Sequence, residues 1–274
     1  MLQVDLTNAF NCVDRSAAIA ALSKDAPELA AWCQFNYRLP AHLHCCDRLL
    51  ASTQGTQQGD PLGPAMFASA IQPVLDELEK NFQLVWQAWY LDDGLLVGGE
   101  TELRRVLEFL GMRFEAFGLK VNLSKCRIWS PEGSCLPASP VPTPSWDEQK
   151  IVLGVPFGSP AAEAAFLREE LRKQRGFSER LRRFPDPQVA LTLLRVCLGV
   201  QKVTHLLRVM WGPNARAFAE DVEAEIRVTL EENLGCDLDD SAWLQRGLPV
   251  KLGGLGVAHP SLVHVAAFLS SSGE

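Results

Sequence analysis

Two adjacent carboxylates, Asp92 and Asp93, interrupt an apolar pattern that otherwise predicts a pair of β-strands. The strands are expected at 84–90 and 94–98, so the two acids should lie at a tight turn between them. Ionised carboxylates beside apolar surface are costly unless a partner compensates their charge. An ordinary Asp-Gly turn is the alternative interpretation, because Gly94 follows Asp93.

Asp5 is a second acid within an apolar β pattern, in the run from Leu2 to Leu6. Two strands that each place an acid at the same edge of one sheet can hold divalent cations between them. Mg²⁺ prefers hard oxygen ligands and offsets the repulsion between gathered carboxylates. Because paired cations commonly serve nucleotidyl transfer, the pattern indicates that chemistry.

The order of the predicted elements favours an α+β fold over a doubly wound parallel sheet. After the first strand we expect helices within 15–37, a β-like run at 43–53, a helix at 63–81, the strand pair around the acids, and a helix at 100–117. Five prolines between Pro131 and Pro144 predict an exposed loop.

From about residue 161 the pattern becomes helical. Apolar residues from Val189 to Met210 recur at alternating spacings of four and three, which predicts one helix with a single apolar seam. The stretches 161–184 and 214–234 are the candidate partners that would bury this seam in a small helical bundle.

Composition limits the class of protein. A net charge of −7 argues against a general nucleic-acid coat, although residues 163–211 contain ten basic and five acidic side chains. We find neither a signal peptide nor an uninterrupted apolar run of membrane-spanning length, and eight cysteines in such a chain favour reduced thiols. We therefore expect an intracellular protein of the nucleus or cytoplasm that is not secreted and has no membrane partner.

Four segments resemble, in order and spacing, the palm motifs of reverse transcriptases, and their wording is closest to those of non-long-terminal-repeat retrotransposons. They are Asp5–Phe10, Gln58–Pro64, Tyr90–Asp93 and Gly118–Lys125. A looser likeness at Leu153–Val155 and at 248–256 extends the resemblance over nearly the whole chain.

The resemblance implies a catalytic group of Asp5, Asp92, Asp93 and Lys125. Asp5 and Asp92 would bind Mg²⁺ or Mn²⁺ with Asp93 as a supporting acid, and Lys125 would act near the leaving pyrophosphate. This is a two-metal mechanism of template-directed nucleotidyl transfer.

The resemblance also implies contacts to substrates. Phe10 would exclude a 2′-hydroxyl, while Gln58 and Gly59 would approach the incoming nucleotide. Tyr90 and Leu91 would border the primer terminus. Basic residues of the second half would follow the phosphates of the primer and template duplex, namely Arg172, Lys173, Arg175, Arg182 and Arg183.

The implied architecture is a ferredoxin-like palm at 1–158, followed at 159–274 by a helical thumb and a C-terminal extension. Only four residues precede Asp5, so we expect the fingers region to be missing from this sequence. The implied partners are an RNA template, a DNA primer and deoxynucleoside triphosphates. The oligomeric state is not predicted.

Several alternatives remain open at this point. The chain could be a non-catalytic retroelement remnant that at most binds nucleic acid, or an RNA-templated RNA polymerase, although Phe10 argues against making RNA. Phe10 is otherwise a core aromatic, and Lys125 a solvated lysine. The basic cluster could be a solvated helix face. A zinc site is disfavoured by the spacing of its four candidate ligands, His42, His44, Cys45 and Cys46.

Overall fold

The structure, a computed structural model, describes residues 1–130, 141–142 and 150–273. The chain divides into two compact units, Met1–Trp146 and Asp147–Glu274. The domain boundary predicted at residue 158 lies later than this division. Most of the proline-rich loop predicted at 131–144 lies outside the described residues.

The first unit combines strands and helices. Its described strands are β1 (Leu2–Val4), β2 (Ala41–Cys45), β3 (Arg48–Ser52), β4 (Trp86–Tyr90), β5 (Asp93–Val97) and β6 (Arg127–Ile128). Its described helices are α1 (Ala9–Cys12), α2 (Arg15–Asp25), α3 (Pro27–Tyr37), α4 (Gly63–Asn81) and α5 (Glu100–Glu115). An antiparallel sheet has the strand order β4-β5-β1-β6, and β2 pairs with β3 in a separate hairpin. The predicted α+β class is confirmed.

The core of this unit forms between the sheet and the helices α4 and α5. On α4 the buried apolar residues recur every third or fourth position, at Met66, Phe67, Ala70, Ile71, Val74 and Leu78. On α5 the corresponding residues are Leu103, Val106, Leu110 and Phe114. Burial of each large apolar side chain contributes about 1.5–3 kcal/mol, and this packing fixes the central strands that carry the acids.

The second unit is mainly helical. It contains the hairpin β7 (Lys150–Val152) and β8 (Val155–Phe157), then α6 (Pro160–Arg182), α7 (Pro187–Leu193), α8 (Thr204–Val209), α9 (Pro213–Leu234), α10 (Asp240–Gln245) and α11 (Pro260–Ser272). The helices predicted at 161–184 and 214–234 correspond to α6 and α9, which pack against each other. Their apolar residues belong to one shared core.

The single helix predicted from Val189 to Met210 is wrong. A π-helical turn at Leu194–Leu198 and a 3-10 turn at Val200–Lys202 separate α7 from α8. Gly199 leaves the helical conformation at ψ −147°, and the buried side-chain amide of Gln174 donates to the Leu198 carbonyl at this break. Because the helix is interrupted, Val196 is 58% exposed whereas Val200 is buried.

The stretch Pro187–Val209 is long and apolar enough to cross a membrane, judged by length and composition alone. Core helices of soluble proteins meet the same criterion. Several of its residues, including Leu194, Val203 and Leu207, are buried in the core of the second unit.

Candidate active site

The acidic pair lies at the turn between β4 and β5. Tyr90 pairs with Asp93, so the turn consists of the two residues Leu91 and Asp92, and Asp93 is the first residue of β5. Leu91 has a φ of +57°, in the left-handed region that side chains other than glycine seldom occupy. Such a conformation concentrates at functional sites, where the surrounding structure compensates its cost.

The register of β1 against β5 brings the third acid to the same place. Val4 pairs with Gly94 at the end of the antiparallel ladder, so the next residues along each strand are Asp5 and Asp93. In an antiparallel pair, residues at matching positions project from the same face of the sheet. Asp5 and Asp93 therefore lie opposite each other, with Asp92 in the adjoining turn.

The segment Gly118–Lys125 adds a cation to this group of acids. Leu6 forms a β-bridge with Val121, and the Asn122 amide donates to the Asp5 carbonyl at 2.9 Å. The Lys125 Nζ atom lies 3.9 Å from Asp5 Oδ1, although the lysine side chain is 67% exposed. An exposed pair at this distance contributes little stability.

The pKa of Asp93 reflects the charges gathered at this edge of the sheet. Burial raises the pKa of the Asp93 carboxyl above its usual value, and the nearby charges of Asp92 and Asp5 raise it further, while Lys125 lowers it. Asp5 Oδ1 is buried and has no hydrogen-bond donor among the described residues. Both observations fit carboxylates that are arranged to face a cation.

A dedicated metal cage is absent: within 1–130, 141–142 and 150–273, no group of three or more His, Cys, Asp or Glu side chains is placed to hold a metal ion. Mg²⁺ is usually bound through one or two carboxylates together with waters and substrate phosphates. The orphaned oxygen of Asp5 beside Asp92 and Asp93 fits that kind of open site.

Phe10 lies in α1, five residues after Asp5. Its ring stacks on Phe67 of α4, with centroids 4.8 Å apart and planes inclined by 18°. The side chain is half-buried and packs against the core of the first unit. Phe10 thus makes a core contact while remaining partly exposed to solvent.

The segment between β3 and α4 contains Gln58 and Gly59, which are both exposed. Its preceding residues are fixed beside Phe10, because the Thr56 amide donates to the Phe10 carbonyl at 2.6 Å and the Gly55 amide to the Val13 carbonyl at 3.1 Å. The predicted nucleotide contacts therefore lie on a loop whose base is joined to α1.

The two residues predicted to border the primer differ in exposure. Tyr90 is 65% exposed, whereas Leu91 is half-buried and packs against the core. The first unit thus brings together the four segments that carry the predicted site.

Residues 1–157 match the family model of reverse transcriptases, described as RNA-dependent DNA polymerases. This range covers more than half of the chain and includes all four motifs. The chain belongs to the reverse transcriptase family. The family predicted from the motifs is confirmed.

A relative of this chain is the retrotransposable element SLACS 132 kDa protein of Trypanosoma brucei gambiense. The two are 23% identical over 269 residues, which is 94% of this chain and 22% of the relative. The chain thus spans about a fifth of the relative's length. The match agrees with the retrotransposon type that the motif wording indicates.

The family model ends at residue 157, before the basic residues predicted to contact the duplex, which lie on α6 and just after it. Four of these five residues already have carboxylate partners. Arg172 pairs with Glu169, Lys173 with Glu170, and Arg175 and Arg182 with Glu225, while Arg182 also reaches Glu232. Arg183 terminates α6 as its C-cap residue. A nucleic-acid phosphate would have to compete with these carboxylates.

Sequence reasoning missed a group of side chains that contact the loop carrying Gln58. Arg15, Tyr37 and Asp60 contact one another or the loop itself. Arg15 offers one sequence signal, because a basic residue in the first turn of α2 is unfavourable next to the positive end of the helix dipole. Tyr37 stands in an ordinary pattern and offers none, whereas Asp60 lies within the motif Gln58–Pro64 but had no role assigned to it.

Proposed function

We propose that this chain carries the catalytic part of an RNA-directed DNA polymerase and performs template-directed nucleotidyl transfer. The observation that supports this most strongly is the placement of Asp5 opposite Asp93, with Asp92 in the adjoining turn and Lys125 at 3.9 Å from Asp5. The pKa of Asp93 stays raised despite Lys125, so an added positive charge would relieve the remaining repulsion between the acids, and phosphoryl transfer supplies a use for one.

In this proposal Asp5, Asp92 and Asp93 hold Mg²⁺ or Mn²⁺. Cations held by these carboxylates would supply the positive charge that lowers the barrier to attack by the primer hydroxyl on the triphosphate. Lys125, whose side chain is 67% exposed, would approach the leaving pyrophosphate as a general acid or as a counter-charge.

The other predicted site residues of the first unit position the substrates in this proposal. The exposed part of the Phe10 ring blocks the space that a 2′-hydroxyl would need, so deoxynucleotides are preferred. Gln58 and Gly59 approach the incoming nucleotide, and Tyr90 and Leu91 border the primer end. Each of these groups lies on an element that is hydrogen-bonded or packed against the core.

The architecture supports the same proposal. The central sheet follows the order β4-β5-β1-β6, and α4 and α5 lie in the connections between its strands, which supports the proposal of a ferredoxin-like palm. We assign the helical second unit to the thumb in this proposal, and its basic residues would follow duplex phosphates. A nuclear or cytoplasmic location completes the proposal.

Primer extension on an RNA template tests this function. We would measure incorporation of deoxynucleotides with Mg²⁺ for this chain and for a version continued upstream, each alongside Asp5→Asn and Asp92→Asn. Asp47→Asn is the matched control, because Asp47 also occupies the second position of a two-residue hairpin turn, between β2 and β3.

Extension that is lost in the two site variants and kept in Asp47→Asn would support the proposal. Binding of a primer-template duplex without extension by either version would identify a non-catalytic remnant. Preferential incorporation of ribonucleotides would instead indicate an RNA polymerase.

A further inference from the structure

We propose that Arg15 and Tyr37 are positioning residues that hold the loop carrying Gln58 and Gly59 in its nucleotide-binding conformation. This inference rests on the proposed polymerase function. It assigns roles to two side chains that lie outside the four motifs and that hold the loop on both sides of its exposed tip.

Arg15 fixes the start of the loop. Its guanidinium donates to the Gly55 carbonyl at 2.6 Å, to the Ser52 carbonyl at 3.1 Å, to Ser52 Oγ at 3.0 Å and to the Gln54 carbonyl at 3.1 Å. Arginine presents its donors in a rigid plane, so four bonds from one side chain define the path of the backbone.

Tyr37 fixes the end of the loop. Its hydroxyl donates to Asp60 Oδ2 and accepts a hydrogen bond from the Gln57 amide at 3.1 Å. Asp60 Oδ1 accepts from the Leu62 amide at 2.9 Å, which connects the same network to the residue before α4. Tyr37 therefore binds the residues on either side of the tip, Gln57 and Asp60, and the tip itself consists of Gln58 and Gly59.

The two anchors also contact each other. The Arg15 guanidinium lies over the Tyr37 ring, 4.9 Å from its centroid. Burial and the hydrogen bond to Asp60 raise the pKa of Tyr37 to about 12, so its hydroxyl remains a donor throughout the physiological range. α2 and α3 thus act together on one loop.

The exposure of the loop tip explains why holding the loop in place would favour nucleotide binding. Gln58 and Gly59 are exposed, and nothing lies within 4 Å of the position that a Gly59 side chain would occupy. A tip that is open to a ligand and fixed on both sides is pre-organised, which lowers the entropy lost on binding. Loss of either anchor is therefore expected to weaken nucleotide binding more than the chemical step.

The test uses Arg15→Lys, which keeps the charge but replaces the planar guanidinium with a single ammonium group, and Tyr37→Phe, which keeps the ring and removes the hydroxyl. Arg105→Lys is the control, since Arg105 also contacts an aromatic ring, Phe82, and forms a hydrogen bond to Glu102 away from the loop. Hydrogen exchange by mass spectrometry reports on the loop without substrate. Primer extension separates the KM for deoxynucleotides from kcat.

We expect faster amide exchange at 52–62 in both variants, with unchanged exchange in α5, and a KM for deoxynucleotides raised about 3- to 10-fold, the scale of one lost hydrogen bond. The kcat should change little, and Arg105→Lys should behave as the unaltered chain does.

Two results would overturn the inference while leaving the polymerase function intact: unchanged loop exchange, or faster exchange with an unchanged KM. If the unaltered chain, with or without its upstream continuation, neither extends a primer nor binds deoxynucleotides, the proposed function fails and the inference falls with it. A variant that loses exchange protection in α5 as well would show a general structural role, which also contradicts the proposal.

Discussion

The backbone amide of Thr56 donates a hydrogen bond of 2.6 Å to the carbonyl oxygen of Phe10. The loop that leads to Gln58 is therefore joined directly to the residue whose ring is proposed to select the sugar. Displacement of one is expected to displace the other, because this bond and the neighbouring one between Gly55 and Val13 leave the two segments little independent movement.

Gly55→Ala should destabilise the protein by more than about 2 kcal/mol. Gly55 has a φ of +69°, and an added Cβ would lie 2.3 Å from backbone atoms of Asn11. Gly59→Ala is the matched comparison, because Gly59 has a φ of +93° but open space around it, so it should lose only about 1 kcal/mol. Urea unfolding followed by circular dichroism measures both values, and equal losses would contradict this account.

Phe10→Val should allow incorporation of ribonucleotides in any version of the chain that polymerises, because the smaller side chain opens space for a 2′-hydroxyl. It should also cost about 1–2 kcal/mol of stability, since the stacked contact with Phe67 is lost. The measurement is the ratio of ribonucleotide to deoxynucleotide incorporation. An unchanged ratio with lowered stability would show that Phe10 serves only the core.

Asp5→Asn and Asp92→Asn should each leave the fold intact and the Tm in the presence of a chelator unchanged or higher, because like charges at this edge disfavour the ionised form of Asp93. The rise in Tm that Mg²⁺ produces in the unaltered chain should disappear. Asp47→Asn should keep that rise. Thermal melts with and without Mg²⁺ make the comparison. If Mg²⁺ still raised the Tm of a site variant, the replaced carboxylate would be excluded as a ligand.

Tyr37 should ionise well above the usual tyrosine range. Its pKa is raised to about 12 by burial and by the hydrogen bond to Asp60, while the hydrogen bond from the Gln57 amide and the charge of Arg15 act in the opposite direction. The chain contains one other tyrosine, the exposed Tyr90. Tyrosinate absorbance should therefore rise in two steps, and Tyr37→Phe should remove the later one.

The same raised pKa predicts how stability changes in alkali. The protonated Tyr37 hydroxyl stabilises the folded state, so its contribution is complete below the unfolded pKa of about 10 and is lost as the pH rises towards about 12. Tyr37→Phe should flatten the fall in unfolding free energy over this window. A fall of equal steepness in the variant would contradict the assignment.

Arg172→Gln and Arg182→Gln should separate binding from stability. Arg172 is 72% exposed and pairs only along its own helix, so its loss should weaken duplex binding equally for all sequences and reduce the salt slope by up to about 0.9. Arg182 is 16% exposed and bridges Glu225, Glu232 and Thr229, so its loss should cost about 1–3 kcal/mol of stability. Salt titrations of duplex binding and urea unfolding distinguish the two effects.

Local pattern was sufficient to predict much of the first unit. The apolar alternation around Asp5 and the acidic pair predicted their strands, and spacings of three and four predicted α4 and α5, because these signals depend on neighbouring residues alone. The motif order predicted the family. The apolar spacing predicted an uninterrupted helix through Gly199, which is wrong. The helix breaks there, and the buried side-chain amide of Gln174 on α6 donates a hydrogen bond to the Leu198 carbonyl at the break.

By itself the sequence determined which residues could form strands and helices, and which acids interrupt apolar strand patterns, where an ionised carboxylate is unfavourable without a partner. Only the tertiary structure decided that Asp5 meets Asp93, since that contact depends on the register between strands about ninety residues apart. It also decided that Arg15 and Tyr37 lie behind the Gln58 loop. Side-chain hydrogen bonds between distant segments leave no periodic trace in the sequence, because they form only after packing has brought the segments together.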